Sequence, residues 1–215
     1  MSTLIDSAVP DAPPDMRFYG VAIAEVIGNQ DETGLGRVQL RLPWLSGYQP
    51  WARVAVLSAG SNRGTYFIPQ TGDEVLVAFN HGDVTEPFVI GSLWNGRDQT
   101  PRSGALDPVN KRVIRTPAGH EIELDDAEQS ITIVSSSGQK VLIDQQQIVM
   151  SAGSGAAKLT LTTAGEVTIE GTKIQIKATA SAEVKAADLS LSADANATLK
   201  GSGLCTIQGS VVKIN

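Results

Sequence analysis

From Tyr19 to Trp94 the chain runs in short apolar or alternating stretches broken by turn chemistry. Val21 to Ile27 gives way to Gly28-Asn29, Arg37 to Leu42 gives way to Pro43, and Ala52 to Leu57 gives way to Gly60-Ser61-Asn62. Gly64 to Ile68 then stops at Pro69, Glu74 to Phe79 stops at Asn80 to Asp83, and Pro87 to Leu93 closes the series. Runs of this length between Gly and Pro predict strands. Five or six of them in roughly 80 residues fit a small OB-type barrel.

Past residue 110 the pattern changes and becomes a repeat. Apolar residues recur in pairs at i and i+2: Ile122/Leu124, Ile131/Ile133, Val141/Ile143, Ile148/Met150, Leu159/Leu161, Val167/Ile169, Ile174/Ile176, Leu189/Leu191 and Val212/Ile214. Weaker members are Val184/Ala186, Ala197/Leu199 and Cys205/Ile207. Successive pairs lie about eight residues apart on average. Alternation of period two predicts strands with one buried face. Twelve such strands, each with two modest apolar side chains, cannot enclose a core alone. They must stack in an array, either as a single-chain solenoid or as three chains around one axis. No stronger beat at the length of one solenoid coil is visible, so the uniform repeat favours three chains, with ladder bonds made between them.

The reading is therefore all-β: an extended arm over residues 1–17, a barrel over 18–96, a linker over 97–110 and a needle over 111–215. The arm holds Pro10, Pro13 and Pro14, which suits an extended segment. Pro101 and Pro108 mark the linker, which has no apolar periodicity.

Composition sharpens this division. All three Trp, and every Tyr and Phe, lie before residue 95, so the later part must pack with Val, Ile, Leu and Ala. A formal charge of −6 argues against a phosphate-binding surface and hence against nucleic acid as a partner. Met1 to Met16 has no apolar run of a secretory leader, so synthesis in the cytoplasm without a signal peptide is expected. Cys205, the single cysteine, excludes an intrachain disulfide framework and is expected to be a small buried apolar residue.

Candidate chemistry is sparse. Glu121, Glu123, Asp125 and Asp126 could suggest paired carboxylates, but alternation sends the first three to the face opposite Ile122 and Leu124, and Asp125-Asp126-Ala127-Glu128 has the composition of a turn. His120 shares the parity of Ile122 and Leu124, so three copies could hold a metal or anion on an axis; after Gly119 a turn role is the simpler reading. His81 has no partner histidine nearby, Ser135-Ser136-Ser137 lacks a base, and Gly34-x-Gly36 is too short for a nucleotide loop. No catalytic residue, metal site or cofactor is expected.

Two stretches carry a resemblance. Gly36-Arg37-Val38-Gln39-Leu40-Arg41-Leu42-Pro43-Trp44, Pro50-Trp51-Ala52-Arg53-Val54, Gly72-Asp73-Glu74-Val75-Leu76-Val77-Ala78-Phe79, His81-Gly82-Asp83 and Pro87 through Trp94 together resemble the OB domain of spike proteins of contractile injection systems. That family includes phage baseplate spikes, VgrG proteins of type VI secretion and the spikes of extracellular particles. Thr116-Pro117-Ala118-Gly119-His120-Glu121-Ile122-Glu123-Leu124-Asp125-Asp126 resembles the junction where those proteins enter an intertwined three-chain β-helix.

The resemblance implies a non-enzymatic homotrimer whose OB domains sit beneath a trimeric hub, with inner tube and baseplate proteins as neighbours. It places the chain in a phage tail or a tail-like particle, which can be released outside the cell. VgrG proteins fuse a hub domain ahead of the barrel, and some phage spikes insert a lysozyme domain after it. The short segment before Phe18 and the short linker lead us to expect a separate hub protein and no hydrolase. The trimer core is expected at Ile122, Leu124, Ile131, Ile133, Val141, Ile143, Ile148, Met150, Leu159, Leu161, Val167, Ile169, Ile174, Ile176, Leu189 and Leu191. A PAAR-type tip protein is expected to dock on Val211, Val212, Lys213, Ile214 and Asn215. The alternative from another class is an OB module for oligonucleotides or carbohydrates with a solenoid tail. It would want exposed aromatics amid basic residues, whereas Trp44 and Trp51 flank prolines.

Overall fold

Strands that are apolar on alternate residues must pair edge to edge and hide one face, and the computed structural model shows two solutions in one chain. It describes residues 17–102 and 109–214, so most of the expected arm, part of the linker and Asn215 lie outside the described residues.

The first solution is closure. Strands β1 (Val21–Gly28), β2 (Val38–Arg41), β3 (Trp51–Val54), β6 (Glu74–Asn80) and β7 (Asp83–Leu93) form a closed barrel in the order β1-β2-β3-β7-β6. All neighbours are antiparallel except β3 with β7, where Arg53 and Val54 run parallel to Phe88 and Val89. That order, with its one parallel pair, is the OB topology. Inward positions form the core: Val26, Val38, Leu40, Ala52, Val75 and Val77 are fully buried. Phe18 stacks on Trp44 at 5.1 Å, and both meet Phe79 edge-on, which plugs one end. Gly72 opens β6 at φ +99°, a left-handed turn conformation that favours glycine, and Asp73 Oδ2 accepts from Gln70 N at 2.8 Å.

Two expectations are corrected here. Strand β3 stops at Val54, and Gly64 to Ile68 is no barrel strand. Instead the segment after β3 folds back through a small hairpin, β4 (Ala59–Gly60) and β5 (Arg63–Gly64), before an irregular stretch to Gln70. Leu57, Tyr66 and Phe67 therefore stand in solvent in the single chain.

The second solution is an open sheet. Strands β8 (Lys111–Arg115), β9 (Glu121–Asp125), β10 (Ser130–Val134), β11 (Lys140–Ile143), β12 (Gln147–Ser151), β13 (Ala157–Thr162) and β14 (Val167–Gly171) pair in sequence order as an antiparallel meander. Short turns join them; Gly119, Gly138, Gly155 and Gly165 all adopt positive φ. Strand β8 was not among the expected pairs, because Arg112 breaks its apolar alternation. The ladder bonds from β8 to β14 are made within one chain, not between chains as the repeat suggested. Tight turns of three to five residues return each strand antiparallel beside its predecessor, which is the nearest partner available.

From residue 172 to 214 no strand forms and every residue is exposed. Ile174, Ile176, Leu189 and Leu191 thus lie outside the intrachain sheet, as do Val211, Val212, Lys213 and Ile214. Cys205 is exposed in the single chain, contrary to the expected buried residue. The physical reason is shared: an isolated extended segment with two apolar residues per eight has nothing of its own to pack against.

Candidate functional site: the apolar ladder of the sheet

The registers align the expected core residues with one another. Across the sheet, Leu124, Ile131, Ile143, Ile148, Leu161 and Val167 stand in one continuous row. Ile114, Ile122, Ile133, Val141, Met150, Leu159 and Ile169 stand in a second. All twelve expected core residues from Ile122 to Ile169 fall on these two ladders and share one face. Direct cross-strand neighbours sit about 4.5 to 5.5 Å apart at Cβ, so aliphatic side chains in register pack as continuous ridges.

Burial is the reverse of what a finished sheet would show. Among the ladder residues that are exposed, the accessible fraction runs from 37% at Leu161 to 64% at Val167. On the opposite face Glu121 and Glu123 are half-buried and Asp125 is buried. Ion pairs cover that acidic row. Arg102, from the linker, donates to Glu121 Oε1 at 2.6 Å and through Nε to Glu123 Oε2 at 2.7 Å. Lys111 pairs with Asp125 and lies 3.7 Å from Glu123, while Arg115 lies 3.6 Å from Glu121. The Lys111 ammonium, helped by the backbone N–H of Glu128 and Ala127, holds the Asp125 carboxyl below the usual carboxylate range. These acids are thus a structural clamp at the start of the sheet. Arg102 was invisible as a participant in sequence, because nothing marks which linker charge returns to the sheet.

A groove of about 710 Å³ runs over the second ladder where Met150, Leu159 and Ile169 meet Lys173 and Ile174. Its lining is mainly aliphatic, so it takes apolar side chains rather than a polar substrate.

The remaining candidates resolve into turns. His120 closes the β8–β9 turn: its carbonyl accepts from Thr116 N at 2.9 Å, and its Nδ1 accepts from Ser136 N at 3.2 Å. His81 lies in the β6–β7 turn at φ +47°. Ser135 Oγ lies 3.3 Å from Ser137 Oγ within the β10–β11 turn. Gly34 and Gly36 belong to a loop organised by Asp31, which accepts from the backbone N–H of Thr33, Leu35 and Arg37. Among the described residues no three His, Cys, Asp or Glu gather as a metal site. No helix there is long and apolar enough to cross a membrane.

A one-sided antiparallel sheet behind an OB barrel defines a class of assembling β-proteins, and comparison with known proteins names it. Residues 22–94 match the family model of the type VI secretion system/phage-baseplate injector OB domain, and residues 111–175 match the phage baseplate V C-terminal trimerisation domain. The chain belongs to this baseplate and VgrG spike family. It is 35% identical over 120 residues to the type VI secretion system spike protein VgrG3 of Vibrio cholerae, covering 51% of this chain and 11% of that protein. It is 29% identical over 149 residues to the spike protein VgrG2a of Pseudomonas aeruginosa, covering 62% of this chain and 18% of the relative. The actin cross-linking toxin VgrG1 of Vibrio cholerae matches at 33% identity over 113 residues, covering 48% of this chain and 10% of that toxin. The chain thus spans less than a fifth of the length of these relatives.

Proposed function

We propose that this chain is a non-enzymatic spike subunit of a contractile injection system, a homotrimer whose sheet and following segment form a stiff piercing needle. The observation that carries the reading is the inverted burial of the sheet. Two aliphatic ladders lie in water in the single chain, and burying one aliphatic side chain stabilises by about 1.5 to 3 kcal/mol. Three copies turning these faces inward would enclose them around one axis. The match to a trimerisation domain supports three as the number.

A closed three-faced rod suits axial load because it has no free sheet edge and no hinge. In this reading the barrels stand toward a separate trimeric hub, the inner tube and the baseplate. The segment from residue 172 extends the needle by pairing between copies. Residues 211–215 are the proposed seat of a PAAR-type tip protein, and the assembly belongs to a phage tail or tail-like particle. The ion-paired acids and turn-bound histidines agree with a structural role.

Light scattering of the purified full chain tests this reading. The expected mass is about three times 22.6 kDa, and a monodisperse monomer at micromolar concentration overturns it.

A further inference from the structure

The outside of the barrel is lopsided. On β2 the outward residues are Gln39 and Arg41, as expected for a strand with one wet face. On β1, β6 and β7 part of the outer face is apolar as well: Val21 and Ile23 point outward at 55% and 51% exposure, and Ile90 is 46% exposed. Their neighbours in register are aliphatic or aromatic too, with Ile23 opposite Leu76, Val21 opposite Ala78, and Ala78 opposite Phe88. Strands that read as continuous apolar runs are those covered on both faces. Charge rims the patch, with Glu25 and Arg41 paired at one side and Arg53 over the Phe88 ring, 4.6 Å from its centroid, at the other. An apolar centre within a charged rim is the anatomy of a protein interface.

A second apolar surface stands on a different element. The loop between β3 and β6 holds Leu57 96%, Tyr66 81% and Phe67 65% exposed. The loop is built, not frayed: its hairpin pairs Ala59 with Gly64, Thr65 N donates to Ser58 O at 3.0 Å, and Tyr66 lies against Gly36.

Two distinct patches per copy are what a cyclic trimer requires. Around a threefold axis each copy meets its two neighbours through two different surfaces, so one patch of each kind is consumed at every contact. Docking of a separate protein on one patch would leave the other in water. The side patch is also continuous with the trimerisation sheet. Strand β7 carries it from Phe88 and Ile90 toward Trp94, which shares a cleft with Arg115, Thr116 and Pro117 at the first turn of that sheet.

We propose that the outer face of β1, β6 and β7 of each barrel packs against the β3–β6 loop of the next copy, so that the barrels form their own ring of contacts in addition to the sheet. This rests on the homotrimer reading above. The test uses the full chain, whose Trp44 and Trp51 lie in the barrel and Trp94 at its junction with the sheet, so that Trp fluorescence reports chiefly on the barrel. Ile23→Lys, Leu57→Asp, the two combined, and Gln39→Lys on the polar side are compared by light scattering and by the denaturant midpoint of Trp fluorescence.

All four should keep the trimer mass through the sheet. Each single apolar substitution should lower the midpoint, Gln39→Lys should leave it in place, and the combined variant should regain part of the loss because opposite charges then face each other. In a chain kept monomeric by Ile133→Asp the same substitutions should not move the midpoint. Unshifted midpoints in Ile23→Lys and Leu57→Asp overturn the ring and assign the patches to another protein. A fully additive combined loss, or a loss in only one of the two, overturns the pairing of these surfaces. Failure of the trimer itself would be seen separately, as a monomer mass in the unmodified chain.

Discussion

Barrel and sheet are both made from strands rich in aliphatic residues, yet the barrel is complete in one chain and the sheet is not. In the barrel, β1 pairs with both β2 and β6, so the sheet meets itself and its inward residues reach zero exposure at Val26, Val38, Leu40, Val75 and Val77. In the meander, β8 and β14 stay at opposite edges, and Ile133 remains 45% exposed on a face that is just as apolar. Burial is therefore decided by whether the hydrogen-bonded order closes, not by how hydrophobic the strands are. The side chains follow from the two geometries. A small barrel needs bulky plugs such as Phe18, Trp44 and Phe79. A ladder repeated strand after strand needs residues of one intermediate size, which is why Ile, Val, Leu and Met fill it.

The sharpest way to break this comparison is to place the same charge in both regions. Val77→Asp buries a carboxylate in a core closed within each chain, at a cost of several kcal/mol. Trp fluorescence should then report an unfolded barrel at any protein concentration. Ile133→Asp should instead leave the barrel's fluorescence native and abolish the trimer, while Thr132→Asp on the opposite face should preserve it. A trimeric Ile133→Asp chain would show that the ladder is not the assembly surface.

A smaller effect is expected where the chain has no partners of its own. Ile176→Asp would bring three like charges together beyond the sheet, whereas Gln175→Asp, one residue away, faces outward in the alternation. The first should keep a trimer held by residues 111–171 but expose residues 172–215 to limited proteolysis; the second should resist like the unmodified chain. Equal cleavage of the two variants would reverse the assignment of facing in that segment.

Much of this was legible in the residues themselves. Period-two alternation placed Ile122 through Ile169 on one face, because side-chain direction in a strand is local. It could not say which strand pairs with which, so the intrachain meander was missed: alternation is identical for ladders made within a chain or between chains. Gly64 to Ile68 looked like a strand because Thr65, Tyr66 and Phe67 have high β-propensity. In the structure Gly64 ends the β4–β5 hairpin at φ +143°, and Thr65, Tyr66 and Phe67 after it join no strand. The role of Glu121 and Glu123 opposite the ladder followed from parity, but their burial under Arg102 depends on a linker residue about twenty positions away, which carries no periodic signal.

The smallest effect concerns acid, and it separates the two regions by one carboxylate in each. In the barrel, Asp31 is held well below the usual carboxylate range, first by the Arg37 guanidinium and then by Thr33. In the sheet, Lys111 and then the Glu128 N–H do the same for Asp125. A depressed folded-state pKa means the ionised form is favoured by folding, so each group contributes stability above the ordinary carboxylate pKa of about 4. That contribution is lost as pH falls below it toward the folded-state value. The two losses should fall on different transitions. Asp31 organises a loop between β1 and β2 of its own chain, so Asp31→Asn should flatten the acid limb of the Trp-monitored barrel unfolding and leave trimer mass alone. Asp125 ties β8 to β9 at the head of the assembling sheet, so Asp125→Asn should flatten the acid limb of trimer dissociation instead. High salt should weaken both effects only modestly, since each carboxylate is buried while its cation stays partly exposed. If the two substitutions act on the same transition, the barrel and the sheet are one cooperative unit and the contrast between chain-closed and assembly-closed halves does not hold.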